Sequence, residues 1–336
     1  MRVVAILASY NEERFIAGCF EHLFRQGVEV YLIDNCSTDR TVEIAERYRG
    51  RGLIGIDTFP REEGVYRWAE ILKRKEELAA TLDADWFMHA DPDEIRLPPR
   101  SDLTLAQALA EVDEKGYNAV NFLEFAFVPT QEAPDHDHPR YQQTMLSYYP
   151  FPKNFPNRVN AWKKQPERVD LGTGGHRVQF EDLRLYPESF KMRHYLFLSV
   201  PHLLLKYVGK QYDVAELQRG QHGWRARLVE EKIKLPLQAA LHTYTSDDQL
   251  DLSRPRMRHV TEDWALPKYG GKPASSEETR TRAQRLQQRV KKLENDLARE
   301  HQKGLQLNSQ IRDLQSSRLW WFLRKLDRIR SKVSAK

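Results

Sequence analysis

A short apolar stretch that ends in a group of acids constrains the fold of this chain more than any other feature. Residues 86–89 have the composition of a buried strand, and Asp91, Pro92, Asp93 and Glu94 follow almost at once. In an open α/β sheet, the groups that bind ligands lie in the crevice outside the carboxyl ends of the strands. Asp91 and Asp93 are separated by a rigid proline, so both can face one hard cation. An isolated Asp-Pro-Asp is also typical of an acidic turn, so the surrounding sequence has to decide.

The sequence before residue 86 alternates between strand and helix patterns. Apolar runs predict strands, and apolar residues at three- and four-residue spacing predict helices. The predicted strands span residues 3–8, 28–33 and 53–57, and the predicted helices lie near 15–24, 40–48 and 64–81. Strands and helices that alternate at this spacing form parallel sheets with right-handed crossovers. Three of the strands end in polar or acidic residues, so we expect their carboxyl ends to converge on one crevice.

Composition indicates a soluble globular protein of one large or two ordinary domains. The chain has 336 residues, of which 40% are hydrophobic and 30% charged, so it can bury a substantial core. No apolar run is long enough to span a membrane as a helix, and residues 1–7 enter the first strand directly, so we expect no signal peptide. Cys19 and Cys36 are too few for a disulfide scaffold or a four-cysteine zinc site, and they fit a reducing cytoplasm.

Three further features of the N-terminal region concern its ligand. Asp34 ends the second strand, the place of the acid that accepts hydrogen bonds from a ribose in nucleotide-binding α/β folds. The glycine fingerprint of dinucleotide-binding enzymes is absent. Four basic residues lie on the helix before residue 86, and one of them could balance the charge of a diphosphate. These residues are Arg67, Lys73, Arg74 and Lys75.

Three ordered motifs in this region resemble those of the family 2 glycosyltransferases with the GT-A fold. The first is Ser-Tyr-Asn-Glu-Glu at 9–13, the second is Asp-Asn-Cys-Ser-Thr-Asp-Arg-Thr at 34–41, and the third leads from Asp-Ala-Asp-Trp at 83–86 to the acids at 91–94. Cys36 and Arg40 stand where the family's second motif usually has glycine. The resemblance covers about the first 125 residues. It implies a Rossmann-like α/β fold with a mixed, mostly parallel central sheet flanked by helices.

The resemblance also implies roles for individual residues. Tyr10 and Glu12 would line the base and ribose pocket, and Asp34 would hold the nucleoside. Asp91 and Asp93 would hold manganese or magnesium against the diphosphate of a nucleotide-sugar donor. Such an ion stabilises the charge of a diphosphate leaving group without a proton transfer.

Two more residues complete the predicted donor site. GT-A enzymes often use a histidine from the C-terminal part of the domain as a metal ligand, and His194 matches by position. A neutral imidazole nitrogen suits manganese better than magnesium, although a lone histidine in an apolar strand is otherwise a core residue. Arg67 is the helix cation that we place beside the nucleotide.

The general base of the reaction is harder to predict. An inverting transferase needs a base that takes the proton of the acceptor hydroxyl. Related transferases often carry a His-Glu pair in a loop near this point, but Arg177 follows His176 here. Our candidate is Asp170, with Glu94 and Glu181 as alternatives. A simple glycine turn between strands explains this loop as well.

The predicted domain organisation has five parts. Residues 1–125 form the nucleotide-sugar-binding half and residues 126–268 the acceptor-side half, in which 199–212 and 228–244 show helical patterns. A glycine- and serine-containing linker follows at 269–276. Heptad spacing of apolar residues predicts a coiled coil with a second copy of the chain at 277–316, and a helix folded back on the domain is the alternative. The basic, aromatic segment 317–336 suits an anionic membrane surface or a partner protein.

Together these features predict a metal-dependent, inverting, hexosyltransferase-like glycosyltransferase. It would move a sugar from a nucleotide-diphosphate donor to a glycan or lipid-linked acceptor in bacterial surface polysaccharide synthesis. We expect a cytoplasmic homo-oligomer at the inner face of the plasma membrane, with no nucleic-acid partner. Two alternatives are a nucleotidyltransferase, which would be expected to carry a glycine-rich phosphate loop, and a non-catalytic scaffold of the same fold.

Overall fold

The structure is a computed structural model that describes residues 1–61, 64–172, 174–208, 210–219, 222, 225, 228, 230–265, 299 and 303. The chain divides into two compact units, Met1–Gly271 and Lys272–Lys336, and the fold and site below belong to the first. The predicted linker and basic tail lie outside the described residues, as does the predicted coiled coil apart from residues 299 and 303. These assignments and the predicted domain boundaries therefore stay predictions.

Twelve strands occur among the described residues, and each strand predicted up to residue 89 lies within an observed one. In chain order they are β1 (Val3–Ser9), β2 (Val28–Asp34), β3 (Leu53–Thr58), β4 (Val65–Tyr66), β5 (Trp86–Ala90), β6 (Glu94–Leu97), β7 (Ala119–Phe127), β8 (Ser147–Pro150), β9 (Val159–Lys163), β10 (Phe190–Tyr195), β11 (Gln211–Tyr212) and β12 (His242–Thr243).

Eight α-helices occur in the same described ranges, and none of them is both long and apolar enough to cross a membrane. They are α1 (Ile16–Arg25), α2 (Thr41–Glu46), α3 (Trp68–Thr81), α4 (Leu105–Glu114), α5 (Tyr141–Thr144), α6 (Val200–Tyr207), α7 (Val214–Gln218) and α8 (Val260–Ala265). The helical pattern at 228–244 was a wrong prediction. Its described residues contain two 3₁₀ turns and β12, and Pro236 between the turns lacks the N–H that a helix interior requires.

The N-terminal half of the main sheet is parallel, as predicted. Its strands lie in the order β3-β2-β1-β5, and all three neighbouring pairs are parallel. Their carboxyl ends therefore share one edge, where Ser9 pairs in register with Asp34 and β5 leads into the acids. The predicted crevice lies at this edge.

The second half of the sheet adds strands of mixed direction. Strand β9 is antiparallel to both β5 and β7, and β8 is antiparallel to β7. Strand β10 is parallel to β7 and antiparallel to β6. The last pairing places His194 opposite Glu94, so the acidic end of β5 meets the C-terminal half of the domain.

Strand β1 is buried on both faces, which explains its uninterrupted apolar sequence. Val3, Ala5 and Leu7 pack in one cluster with apolar residues of α1 and α4. Val4 and Ile6 pack on the other face with apolar residues of α3. Full burial of a valine, leucine or isoleucine side chain contributes about 1.5–3 kcal/mol. Layers of helices on both faces therefore fix the strand whose end carries the site.

Candidate active site

A cavity of about 580 Å³ opens at the carboxyl ends of β1 and β5. Its lining combines residues of the N-terminal motifs with residues from β10, α6 and the segments around them. Of the predicted site residues, it includes Tyr10, Glu12, Asp91, Asp93, Glu94 and His194. The structure thus brings together residues that lie more than 180 positions apart in the chain.

The two N-terminal motifs are joined by hydrogen bonds that shape one side of the cavity. The Asn11 amide N–H donates to the Ser37 hydroxyl at 3.0 Å, and the Thr38 N–H donates to the Asn11 side-chain oxygen at 2.8 Å. Asn11 and Cys36 adopt positive φ angles of 57° and 59°. Cys36 therefore keeps the left-handed conformation that explains the family's glycine at this position.

Three buried oxygen atoms at the ends of β1 and β2 have no hydrogen-bond partner among the described residues. They are the Ser9 hydroxyl, one carboxylate oxygen of Asp34 and the side-chain oxygen of Asn35. The other Asp34 oxygen accepts from the Ser37 N–H at 3.0 Å, and the Asn35 amide group donates to a backbone carbonyl. Buried acceptors are normally satisfied, so this edge is suited to a ligand that donates N–H or O–H groups.

Cations and an aromatic ring surround the adjoining part of the cavity. The guanidinium carbon of Arg61 lies 3.9 Å from the centre of the Tyr10 ring, and the Lys210 ammonium lies 5.4 Å from it. Burial raises the pKa of Glu12 to about 7, although Lys206 opposes the shift. Burial also lowers the pKa of Lys210 to about 7. Glu12 and Lys210 can therefore each gain or lose a proton near neutral pH.

Asp91 faces the cavity above a buried lysine. The Lys75 side chain is fully buried, donates to His89 Nδ1 at 3.1 Å and lies 4.0 Å from an Asp91 oxygen. Burial lowers the pKa of Lys75 to about 8, and Asp91 partly offsets this. Burial and the neighbouring Glu94 raise the pKa of Asp91. Of the four helix cations considered from sequence, Lys75 is the one that contacts the acidic motif.

Asp93 is held by two cationic side chains from the C-terminal half. The Lys206 ammonium donates to Asp93 Oδ2 at 2.5 Å, and His194 Nε2 lies 3.4 Å from the same oxygen. Burial alone would raise the pKa of Asp93, but Lys206 and His194 outweigh it and hold the pKa well below its usual range. His194 Nδ1 in turn lies 2.6 Å from an oxygen of the buried Glu124.

This arrangement does not fit the predicted three-ligand metal site. Burial lowers the pKa of His194, but Asp93 and Glu124 raise it to about 10, so the structure without a metal favours a protonated imidazole that bridges these two carboxylates. No group of three or more His, Cys, Asp or Glu side chains placed to hold a metal ion occurs in the described part of the chain. The metal roles of Asp91, Asp93 and His194 stay predictions.

Asp170 and Glu94, two of the three candidates for the general base, are poorly placed for that role. Asp170 is exposed, does not line the cavity, and accepts a hydrogen bond from the nearby Gly172 N–H at 2.5 Å. Glu94 lines the cavity but is 2% exposed and ion-paired with Arg96 at 2.5 Å. The structure brings Glu94 to the site and leaves Asp170 outside it.

The remaining predicted residues lie at the periphery. Asp34 sits behind the cavity wall at the end of β2, next to Asn35, which lines the cavity. Arg67 precedes α3, is not part of the lining, and pairs with Glu70 at 4.0 Å. The structure therefore does not place Arg67 at the nucleotide wall.

Sequence reasoning missed the cations on the C-terminal side of the cavity. Lys206, Lys210 and Arg225 all line it. Lys206 lies on α6, which the sequence predicted as an amphipathic helix without a function. One signal was available, since a lysine within the apolar run Leu203-Leu204-Leu205-Lys206-Tyr207-Val208 needs a charged partner if it is buried.

Comparison with known proteins supports the resemblance inferred from the motifs. Residues 4–95 match the model of glycosyl transferase family 2, which confirms the resemblance over that part of the chain. This range contains the Ser9–Asn35 edge and both aspartates of the acidic motif.

Individual relatives match less of the chain. Poly(ribitol-phosphate) beta-N-acetylglucosaminyltransferase TarS of Staphylococcus aureus strain Mu50 is 26% identical over 122 residues, which are 34% of this chain and 19% of the relative. The crystal structure of S. aureus TarS 1–349 with UDP aligns with a TM-score of 0.34 at 13% identity, over 61% of this chain and 66% of that one.

A second solved structure is similar over a shorter range. The mannosyltransferase PcManGT from Pyrobaculum calidifontis, in complex with GDP-Man and Mn²⁺, aligns with a TM-score of 0.28 at 23% identity. The alignment covers 37% of this chain and 35% of that one. Structural likeness at these scores carries no argument about ligand or mechanism in this chain.

Proposed function

We propose that this protein transfers a sugar from a nucleotide-diphosphate donor to a hydroxyl group of a glycan or lipid-linked acceptor. One observation carries the proposal: the unsatisfied acceptors of Ser9, Asp34 and Asn35 lie within the family-matched segment, at the same sheet edge as Asp91 and Asp93. A nucleoside offers the N–H and O–H donors that the first three residues lack. Asp91 and Asp93 lie next to this nucleoside position, where the diphosphate and sugar of the donor would bind.

The reaction is proposed to invert the anomeric centre in a single displacement. The acceptor oxygen attacks the anomeric carbon while the bond from that carbon to the diphosphate breaks. The electron pair leaves with the diphosphate, and the acceptor proton passes to a base. Lys206 and His194 contact Asp93 where a metal ion would need free ligand atoms, so the proposed displacement does not depend on a metal.

Asp91 is the carboxylate that we place as the base, in preference to Asp170 or Glu94. Its side chain is 35% exposed within the cavity lining, compared with 8% for Asp93 and 2% for Glu94. Burial and Glu94 raise its pKa, which makes it a stronger base than an ordinary aspartate. An acceptor hydroxyl can therefore reach Asp91 more readily than the other two acids.

The biological setting follows from the family and from the sequence. The name of the relative TarS describes transfer of N-acetylglucosamine onto poly(ribitol-phosphate). For this chain we propose the broader class, a surface polysaccharide or its lipid-linked precursor. Oligomerisation through residues 277–316 and placement at the inner face of the plasma membrane through residues 317–336 belong to the same proposal.

Release of nucleoside diphosphate from a panel of UDP-, GDP- and TDP-sugars tests this function. The full chain should hydrolyse one donor slowly in the absence of an acceptor, as measured by chromatography of the released nucleotide. Replacement Asp91→Asn should reduce the rate by about 100-fold or more, because a positioned base contributes 10²–10⁴-fold. The matched replacement Asp113→Asn, on α4 and paired with Lys163, should leave it unchanged. Absence of release from every donor would contradict the proposal.

A further inference from the structure

Lys206 is a buried cation that contacts Asp93, one of the predicted metal ligands. Its side chain is 9% exposed, and its ammonium lies 2.5 Å from Asp93 Oδ2. A lysine is rarely this buried unless its charge is paired, because desolvation of an ammonium is expensive. The pairing therefore indicates a lysine that the fold has positioned, at the carboxylate that a divalent cation would otherwise bind.

The Asp93 carboxylate is the first member of a buried chain of alternating charges. Asp93 contacts Lys206 and His194, His194 contacts Glu124, and Glu124 accepts from Arg158 at 2.7 Å. Each acid of this chain thus has two cationic neighbours. A divalent ion at Asp93 would face Lys206 and His194 at close range and would have to displace one of them.

The ammonium of Lys206 retains hydrogen-bonding capacity toward the cavity. It donates to Asp93 at 2.5 Å and to the Leu196 carbonyl at 3.4 Å. These are its acceptors in the described ranges, and the ammonium also lies 5.0 Å from the centre of the Phe15 ring. A lysine has three N–H donors, so two acceptors leave one N–H for a ligand. Lys206 lines the same cavity as Lys210 and Arg225. A diphosphate in this cavity would therefore meet several cations without a metal.

We propose that Lys206 takes the place of a divalent cation at Asp93 and binds the diphosphate of the donor. The inference rests on the proposed function and adds which group balances the negative charge of the donor's diphosphate. Asp93 fixes the ammonium, and the remaining N–H donates to a phosphate oxygen. The ammonium keeps its proton throughout and stabilises the charge that collects on the diphosphate as the bond to the sugar breaks. Binding of a nucleoside diphosphate is then independent of manganese or magnesium.

Calorimetric titration of the full chain with UDP and with GDP tests this inference, first in EDTA and then in Mn²⁺. One of the two nucleotides should bind in EDTA, and Mn²⁺ should change its dissociation constant by less than about threefold. Replacement Lys206→Met should weaken binding in EDTA by about tenfold or more, because a charge-assisted hydrogen bond is lost. Lys206→Arg keeps the charge and should restore most of the affinity.

Two further variants separate this role from a purely structural one. Lys206→Met leaves Asp93 buried without its main partner, so the double variant Asp93→Asn/Lys206→Met removes both charges and should fold with the wild-type circular dichroism spectrum. It should lose the same affinity as the single variant. Lys163→Met removes an exposed lysine outside the cavity, paired with Asp113, and should bind like the wild type.

The outcomes of these titrations distinguish the role of Lys206 from the proposed transferase function. Binding that requires Mn²⁺ and survives Lys206→Met would overturn the inference and leave the transferase proposal standing. Wild-type affinity of the double variant in EDTA would overturn the inference as well. Failure of the wild type to bind either nucleotide, with or without Mn²⁺, would overturn both.

Discussion

At the scale of single residues, the buried Glu124 holds three side chains that line the cavity, namely Arg158, His194 and His259. Glu124 is 1% exposed, accepts two hydrogen bonds from Arg158 and one from His194, and lies 3.5 Å from His259. Burial raises the pKa of Glu124, but these cations outweigh burial and hold it well below its usual range. The Glu124 carboxylate is therefore charged and joins β7 to β9, β10 and the segment before α8.

Replacement Glu124→Gln should destabilise the protein by about 3–5 kcal/mol, because removal of one partner leaves buried cations uncompensated. Urea unfolding followed by tryptophan fluorescence measures the change. The matched variant Glu111→Gln, on the exposed face of α4, should stay within about 0.5 kcal/mol of the wild type. A loss below about 1 kcal/mol for Glu124→Gln would mean that the cations are solvated or paired elsewhere.

His22 provides a pH-dependent contribution to stability that is independent of the cavity. Burial lowers its pKa to about 4 despite a hydrogen bond to the Arg96 carbonyl, and Arg193, Arg25 and Asp247 exert weaker effects. Below the ordinary pKa of histidine, the unfolded chain therefore binds a proton at His22, whereas the folded chain does not. Stability should fall as pH drops from about 6.5 toward 4, by at most about 1.4 kcal/mol per pH unit.

The variant His22→Gln should reduce this slope, which guanidinium unfolding at a series of pH values between 4 and 7 measures. His138→Gln, at a half-exposed position in the loop before α5, should keep the wild-type slope. Identical slopes for the wild type and His22→Gln would show that another group titrates in this range.

At the scale of elements, Gly175 in the loop after β9 packs closely against His89. From sequence, this loop is either the place of the general base or a simple glycine turn between strands. A Cβ atom on Gly175 would lie 2.5 Å from the His89 ring, and the residue has φ +78°. The Asn160 side chain also donates to the Gly175 carbonyl at 2.6 Å. The loop therefore holds His89, which in turn positions Lys75 beneath Asp91.

Replacement Gly175→Ala should destabilise the protein more than Gly116→Ala, which has a similar φ of +82° but no atom within 4 Å of the added Cβ. The left-handed conformation costs alanine about 1–2 kcal/mol at either site, and the clash adds to this at Gly175 alone. Thermal unfolding of both variants measures the difference. Equal losses would show that the loop moves freely away from His89.

Some elements could be predicted because their signal is local. β1 is a continuous apolar run because helices cover both of its faces, and β2, β3 and β5 are mostly apolar. β6 was missed because Glu94 and Arg96 look like loop residues in sequence, although their mutual ion pair buries both side chains. The pairing of β6 with β10 joins segments about a hundred residues apart, and no local pattern encodes it.

At the scale of the whole molecule, the candidate site is formed by segments that lie far apart in the sequence and that the fold brings together. The N-terminal motifs could be predicted because residues 9–13 and 34–41 carry recognisable spacing. Lys206 and Lys210 could not be placed there from sequence, since only the fold brings α6 and the segment after it to the end of β5. Asp170 was chosen by loop position, and the structure places it outside the cavity.

The heptad pattern at residues 277–316 makes a prediction about assembly. Full-length protein should be oligomeric in solution, and Leu293→Glu/Leu297→Glu should reduce its mass, because charges at heptad positions disrupt a coiled-coil seam. Light scattering after size exclusion measures the mass. The control Asn295→Glu lies off the seam and should leave the oligomer intact. A monomeric wild type would favour the alternative of a helix folded back on the domain.

A structure of the full-length protein with UDP or GDP bound in EDTA tests the central claim most directly. The account predicts the nucleoside against Ser9 and Asn35, in front of Asp34, with a phosphate oxygen about 2.7–3.2 Å from the Lys206 ammonium. A nucleotide bound outside this cavity would contradict the assignment of the donor site. A nucleotide inside it with phosphates turned away from Lys206 would retain the site and contradict the role given to the lysine.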